Sequence, residues 1–335
     1  MDTEKRKRRT RYRGKNPRHF SEKYKEQAPE RYPADVARVI AGGRTPAGMH
    51  RPIMVRDIVE VLQPRPGELV VDCTLGYGGH AIALLTAVQP GGRLLGVDID
   101  PIELPKTVAR LQALGFGPNV FTAHRTNYAG LSKLLPEPAD IVFADLGVSS
   151  MQMDNPARGF TYKYDGPLDL RMNPERGQPA SALLESLDES SLTELLVENA
   201  DEPDAGAMAR AILQAAVSTT TGLATVIRGA GGDEDSIRRV FQALRIAVND
   251  EFGALDAFLR NLPLCLKPGG RVAVLTFHSG EDRRVKKAFQ SGERDGIYSE
   301  IAPEVMRPDS EEVRANPRSR SAKLRWARRN RGTDS

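Results

Sequence analysis

The sequence predicts an α/β fold: a doubly wound, Rossmann-like parallel sheet into which an α-helical domain is inserted. Three observations carry that prediction. Short apolar runs of strand length (69–73, 93–97, 119–122, 141–144 and 271–276) are bounded by turn residues. Helix-like segments at 81–88 and 101–114 separate the first three, which is the alternation of a parallel sheet. About 125 residues then part the fourth run from the fifth, and they contain four helix-like stretches.

Taken in order, the elements begin after a basic N-terminal stretch. Residues 1–45 hold 14 Lys/Arg and 6 Asp/Glu, an excess of eight positive charges, so with +4 overall the remaining 290 residues are four negative. Lys5-Arg6-Lys7-Arg8-Arg9, followed by Arg11, Arg13, Lys15 and Arg18, suits phosphate neutralisation, and a solvated solubility tail is the plainer reading. Gly42-Gly43-Arg44-Thr45-Pro46 reads as linker, and order is expected from near His50. Met54, Val55, Ile58, Val59 and Leu62 recur at helical spacing and are stopped by Pro64 and Pro66. In the insertion, 182–197, 206–217, 223–228 and 236–260 read as helices, and Gly269-Gly270 as the turn into the fifth strand. Leu324 and Trp326 alternate with Lys323 and Arg325 as an edge strand would, with the cations facing solvent. The domain plan is therefore a basic extension over 1–45, a sheet domain over 46–150 and 246–335, and a helical insertion over 151–245.

Composition removes several classes. A chain of 335 residues with 40% hydrophobic and 27% charged residues buries a core, so it is neither disordered nor fibrous. No apolar run reaches the roughly 18–20 residues of a membrane span, and no secretory signal is recognisable, so a cytoplasmic location is expected. Its two cysteines, Cys73 and Cys265, lie among apolar neighbours without CxxC spacing, which fits neither a disulfide framework nor a structural zinc site.

In an open parallel sheet the ligand lies beyond the carboxyl ends of the strands. Those ends are polar here. The first runs into Asp72-Cys73-Thr74-Leu75-Gly76-Tyr77-Gly78-Gly79-His80, where glycines let backbone amides approach a ligand; a tight structural turn would explain the glycines alone. The loop fails the GxGxxG pattern at its last position, which disfavours a dinucleotide and with it a nicotinamide-dependent dehydrogenase. Asp98 ends the second run about twenty residues on, where a carboxylate accepts both ribose hydroxyls, so loop and acid together imply an adenosine-containing cofactor. Asp145 ends the fourth run, against the simpler reading of a loop cap. The fifth run ends in His278-Ser279-Gly280-Glu281-Asp282.

With these residues assembled, the chain resembles the bacterial RsmH (MraW) family. The resemblance rests on Asp145-Leu146-Gly147-Val148-Ser149-Ser150, Arg158-Gly159-Phe160, Asp165-Gly166-Pro167-Leu168-Asp169-Leu170-Arg171-Met172, Phe241-Gln242-Ala243-Leu244-Arg245-Ile246 and Asn316-Pro317-Arg318-Ser319-Arg320-Ser321-Ala322-Lys323-Leu324-Arg325. It covers about 50–329. It implies a class I S-adenosylmethionine-dependent methyltransferase sheet with a helical domain inserted after the fourth strand. The implied reaction is methylation of N4 of a cytidine in small-subunit (16S) ribosomal RNA at the decoding centre. By the same resemblance Gly78, Gly79 and His80 line the cofactor, Asp98 takes the ribose, Tyr128 stands near the adenine, and Asp145 and Gln152 complete the site. An assembled small subunit is the expected partner, no membrane is involved, and a homodimer stays open. The chain departs from the family pattern at Ala81, where Ser is usual, at Gly280, where Leu is usual and the rim loop would loosen, and in the spacing before Tyr128.

The chemistry assigns further roles. A cytosine amine is a weak nucleophile, so an acceptor for its protons and in-line placement against the methyl group are needed. Asp145 is the candidate acceptor, and His278, ahead of Glu281 or Asp282, the candidate base for the released proton. Phe160, Tyr162 and Tyr164 are options for a shelf under a flipped base, with packing inside the insertion as the plainer reading. Arg158, Arg171, Arg314, Arg318, Arg320, Lys323, Arg325, Arg328 and Arg329 are candidate phosphate contacts. No metal is required. An N4-cytosine DNA methyltransferase lacks its Ser/Asp-Pro-Pro-Tyr motif here, which leaves a non-catalytic RNA-binding assembly factor on the same fold as the alternative.

Overall fold

The computed structural model describes residues 52–332. The basic extension, and the start of order near His50, lie outside the described residues. From the first described helix the order is α1 (Val55–Leu62), β1 (Leu69–Asp72), α2 (Gly79–Ala87), β2 (Arg93–Asp98), α3 (Leu104–Ala113), β3 (Phe121–Arg125), α4 (Leu131–Leu134) and β4 (Ala139–Asp145). After β4 come α5 (Ser150–Met153), α6 (Ala180–Ser186), α7 (Glu189–Ala200), α8 (Ala205–Ala215), α9 (Thr220–Gly229), α10 (Glu234–Asn249) and α11 (Glu251–Cys265). The chain then returns through β5 (Leu266–Thr276), α12 (Ser279–Arg294), β6 (Tyr298–Ile301), α13 (Ser310–Ala315) and β7 (Lys323–Arg329).

The strands form one sheet in the order β3-β2-β1-β4-β5-β7-β6. Strands β1 to β5 are parallel, and β7 runs antiparallel to both β5 and β6. Alternation in β4 sets the two layers. Ile141 and Phe143 face one side, packing with Ile58, Leu62, Leu84 and Leu111 of α1 to α3. Val142 and Ala144 face the other, against Leu255, Phe258 and Leu262 of α11 and Val285 and Phe289 of α12. Leu192, Leu196, Met208, Ile212, Ile227, Val240 and Leu244 form a third core within the insertion, which thus buries its own apolar faces.

Several sequence expectations shift. The helix expected over 182–197 is two, because Asp188 accepts the Ser191 amide and starts α7 afresh. The one expected over 236–260 breaks at Asp250, whose φ of 48° is left-handed, between α10 and α11. Gly269 (φ 76°) lies inside β5 as a bulge, not in a turn before it: Leu266 to Arg271 spans the same register as Ala139 to Ile141. The C-terminal strand β7 is not an edge. It lies between β5 and the unforeseen edge strand β6, and Arg325 is buried on it, not solvent-facing. Both cysteines are buried and unpaired.

Candidate active site

Because β1 is flanked by β2 on one side and β4 on the other, the chain reverses its direction of winding between β1 and β4. Open sheets of this kind bind their ligands at such a reversal, beyond the carboxyl ends of the strands. Asp72, Asp98 and Asp145 end the three strands around it.

The glycine loop is tied to this rim by backbone groups. Cys73 N donates to Phe143 O (2.8 Å), and Leu75 N to Val97 O (2.9 Å). Gly76 N donates to Asp98 Oδ2 at 2.7 Å. From α3, Thr107 Oγ1 donates to Gly76 O (2.6 Å) and Arg110 Nη1 to Tyr77 O (2.5 Å), with the guanidinium 3.4 Å from the centre of the Tyr77 ring. Gly78 caps α2 with φ 83°, and a Cβ there would stand 2.6 Å from Leu111 Cδ1, so both conformation and space require glycine. Gly79 opens α2 against Pro52, where a Cβ would meet the proline ring at 2.9 Å.

The three carboxylates meet very little positive charge. Asp72 is 1% exposed; burial, opposed by the Thr74 amide and reinforced by the charge of Asp98, pushes it up to about 7. Burial also raises Asp98, although the amides of Asp100 and Gly76 hydrogen-bond to it. Asp145 is raised well above the usual carboxylate range by burial and then by the charges of Asp72 and Glu281. Its Oδ2 lies 3.5 Å from His80 Nδ1, whereas Oδ1 is buried without a hydrogen-bond partner among the described residues. The Nε2 of His80 is 2.9 Å from Ile53 O, which makes that nitrogen the N–H. An orphaned acceptor among mutually repelling acids suits a cationic ligand that brings hydrogen-bond donors. S-adenosylmethionine, with its ammonium, sulfonium and ribose diol, fits that demand.

Beside this cluster lies a second one. Arg245 of α10 pairs with both oxygens of Glu251 (2.8 and 3.0 Å). His278 Nε2 is 3.2 Å from Glu281 Oε1, and Glu281 Oε2 accepts the Phe277 amide at 2.9 Å. Burial acts to raise Glu281, but the hydrogen bond to His278, the charges of His278 and Arg245, and the Phe277 amide outweigh it and hold the acid low. Glu251, His278 and Glu281 bring three donor atoms within 4.8 Å of one another. This set does not fit a metal ion, because Arg245 takes both Glu251 oxygens and its own charge opposes a cation.

Sequence-predicted residues fall on both clusters. Asp98, Asp145, His80, Gly78 and Gly79 lie around the reversal. Gln152 is buried and one step removed: it donates to Asp100 Oδ2 (2.9 Å) and accepts the Ser149 amide. The Tyr128 ring packs edge-on against Phe258 of α11 (5.4 Å), and burial raises its hydroxyl, joined by the charges of Glu251 and Glu281. Asp282 does not turn to the rim; it pairs with Arg325 Nε at 2.6 Å and ties α12 to β7. Phe160 is buried in the insertion core and Tyr162 packs on Phe241 (5.3 Å), which is the plainer of the two readings for those rings. Gly280 does not loosen the rim: the Phe252 ring fills its side, 2.6 Å from where a Cβ would lie.

Two candidate phosphate contacts are corrected. Arg158 is 6% exposed and bound to Asp100 (2.8 Å), and Arg171 forks onto Asp169 (both contacts 2.8 Å). Arg314, Arg318 and Arg320 are exposed, with Arg318 paired to Asp154 (2.6 Å). Asp72, Asp100, Thr107, Arg110, Arg245 and Glu251 were not anticipated as site residues. Their signal was weak in sequence: a strand end for Asp72, a second acid in Asp98-Ile99-Asp100 for Asp100, and nothing but helical context for the others.

A sheet of this order with β7 antiparallel, a glycine loop after β1 and a ribose-type acid after β2 defines a Rossmann-like S-adenosylmethionine-dependent methyltransferase. The MraW methylase family matches residues 47–330, and this chain belongs to it. It is 50% identical to the ribosomal RNA small subunit methyltransferase H 2 of Alkaliphilus metalliredigens, over 97% of this chain and 98% of the relative. It is 48% identical to methyltransferase H 1 of Lachnoclostridium phytofermentans, over 96% of this chain and 92% of that one. Among solved structures, a SAM-dependent O-methyltransferase from Thermotoga maritima aligns with a TM-score of 0.43 at 12% identity, over 90% of this chain and 72% of the other.

Proposed function

We propose that this chain methylates N4 of a cytidine in small-subunit ribosomal RNA, acting in the cytoplasm on an assembled subunit. The observation that carries this reading is Asp145: a carboxylate at the switch point, with an orphaned oxygen, beside the glycine loop and Asp98. S-adenosylmethionine supplies an electrophilic methyl group on a sulfonium. Asp98, held between the Gly76 and Asp100 amides, presents its remaining lone pairs to a ribose diol. Asp72 and Asp145 give the negative field that favours a cationic cofactor.

Towards the base, Asp145 Oδ1 accepts a hydrogen bond from the N4 amine and lets its lone pair turn to the methyl group, and the single proton released after transfer is left to another group. His278, beside Glu281 (3.2 Å), is the base for the proton released after transfer, and Asp282, paired with Arg325, is no longer an alternative to it. The insertion of 151–245 is the substrate-recognition lobe, with the exposed Arg314, Arg318 and Arg320 as phosphate contacts. No helix among the described residues is long and apolar enough to cross a membrane. Methyl transfer from labelled S-adenosylmethionine to unmodified small subunits, with nucleoside analysis, tests the proposal. Label in N4-methylcytidine supports it; cofactor binding without transfer to subunits, free RNA or DNA would leave a binding or assembly role.

A further inference from the structure

A chain of buried polar contacts leaves the ribose-binding turn and ends in the insertion. Asp98 Oδ1 accepts the Asp100 amide at 2.8 Å. Asp100, 1% exposed, has every lone pair engaged: Oδ1 accepts the amides of Ile102 (2.8 Å) and Glu103 (3.2 Å), and Oδ2 accepts Gln152 Nε2 (2.9 Å) and Arg158 Nη1 (2.8 Å). The second nitrogen of Arg158 donates to the carbonyls of Met172 (2.8 Å) and Arg171 (3.2 Å). Asn249, the last residue of α10, closes the circuit. Its Oδ1 accepts the Met172 amide (2.7 Å), and its Nδ2 donates to Leu170 O and Arg245 O, each at 2.8 Å.

Between these anchors the backbone is strained. Leu170 has φ 63°, a left-handed conformation that a bulky residue adopts only when its surroundings impose it. Its amide donates to Arg158 O at 3.3 Å, its carbonyl is held by Asn249, and its side chain is 1% exposed in the insertion core. A single guanidinium thus fixes the turn that carries Asp98 to the strained segment of the substrate-recognition lobe. Neither end shifts without breaking a buried ion pair whose carboxylate is fully hydrogen-bonded.

We propose that Arg158 and Asn249 are positioning residues that couple cofactor occupancy at Asp98 to RNA docking on the insertion, through Asp100 and the 169–172 segment. This rests on the function proposed above. Coupling between two sites is reciprocal and is read as a change in one affinity when the other site fills. The test measures binding of unmodified small ribosomal subunits to the full-length protein with and without saturating S-adenosylhomocysteine, which occupies the cofactor site without transferring a methyl. In the wild type the analogue tightens subunit binding by about 5- to 10-fold, the lower part of the usual coupling range. Arg158→Lys keeps the charge but cannot reach both Asp100 and the two carbonyls, and Asn249→Ser frees Leu170 and Met172 without touching the ion pair. Both bring the coupling below about twofold, while the affinity of the variants for the analogue alone stays within about threefold of wild type. A merely structural role would lower stability and leave the coupling factor unchanged. Absence of coupling in the wild type, or its full persistence in both folded variants, overturns the proposal. Failure of wild-type protein to bind or methylate subunits at all marks a failure of the functional reading instead.

Discussion

Two buried polar clusters stand side by side at the end of β4, and their charge balance differs. Asp72, Asp98 and Asp145 are acids raised by burial and by one another, with an unsatisfied oxygen among them. Arg245, Glu251, His278 and Glu281 are paired: Arg245 stays charged despite burial because Glu251 and Glu281 face it. The paired cluster balances its own charge, and its His278 ring nitrogens are buried without a well-aligned hydrogen bond among the described residues, which suits a proton acceptor. The all-acid cluster is a site that a cationic ligand completes.

Breaking the acid cluster at its centre gives the largest effect. Asp145→Asn lowers methyl transfer by roughly 100-fold or more, as loss of a positioned acceptor does, and also weakens cofactor binding because one charge of the acid cluster is gone; full activity in a single-turnover assay at saturating cofactor would remove Asp145 from the chemistry. Breaking the paired cluster acts on stability instead. Glu251→Ala leaves Arg245 buried and uncompensated and costs about 3–5 kcal/mol in denaturant unfolding. If Asp98 is the ribose acceptor proposed above, Asp98→Ala weakens cofactor binding by roughly 10- to 100-fold by calorimetry, with a smaller effect on turnover at saturation.

The pH dependence sharpens the same contrast. Asp72 is raised to about 7 in the folded protein, so between roughly pH 4 and 7 the folded state holds a proton that the unfolded chain has released. Its contribution to stability is therefore full below about pH 4, falls by up to about 1.4 kcal/mol per pH unit as pH rises, and is gone above about 7. Cofactor-free wild-type protein should lose melting temperature across this window, and Asp72→Asn should flatten the loss; parallel profiles would show that Asp72 does not titrate there. The smallest change falls outside both clusters. Asp282→Asn keeps an acceptor but loses the charge facing the buried Arg325, costs about 1–3 kcal/mol and leaves turnover within a few-fold. A deep loss of turnover would return Asp282 to the role of base.

Much of this was legible in the chain. Apolar runs separated by helical segments gave the five parallel strands, and the polar residues that end them gave Asp98, Asp145 and His278, because a carboxylate at the end of a buried strand stands out against its own neighbours. Local patterns could not give the paths taken by long side chains. Arg158 looks like any surface arginine in Arg158-Gly159-Phe160 until the fold brings Asp100 against it, and Asp282 looks like a rim acid until β7 brings Arg325 across. The strand β6, four residues with two exposed polar side chains, has no apolar signature because it pairs on one side only.

The sequence by itself determined the five parallel strands, the helical character of the insertion, the place of the glycine loop and the acids Asp98 and Asp145 at strand ends, since hydrophobic period, caps and turn residues act over a few positions. Tertiary structure alone decided which charges meet. The pairing of Asp100 with Arg158 crosses 58 residues, and that of Arg271 with Glu68 crosses 203. Ion pairs depend on distance and local dielectric, and neither is defined until the sheet and the insertion have packed.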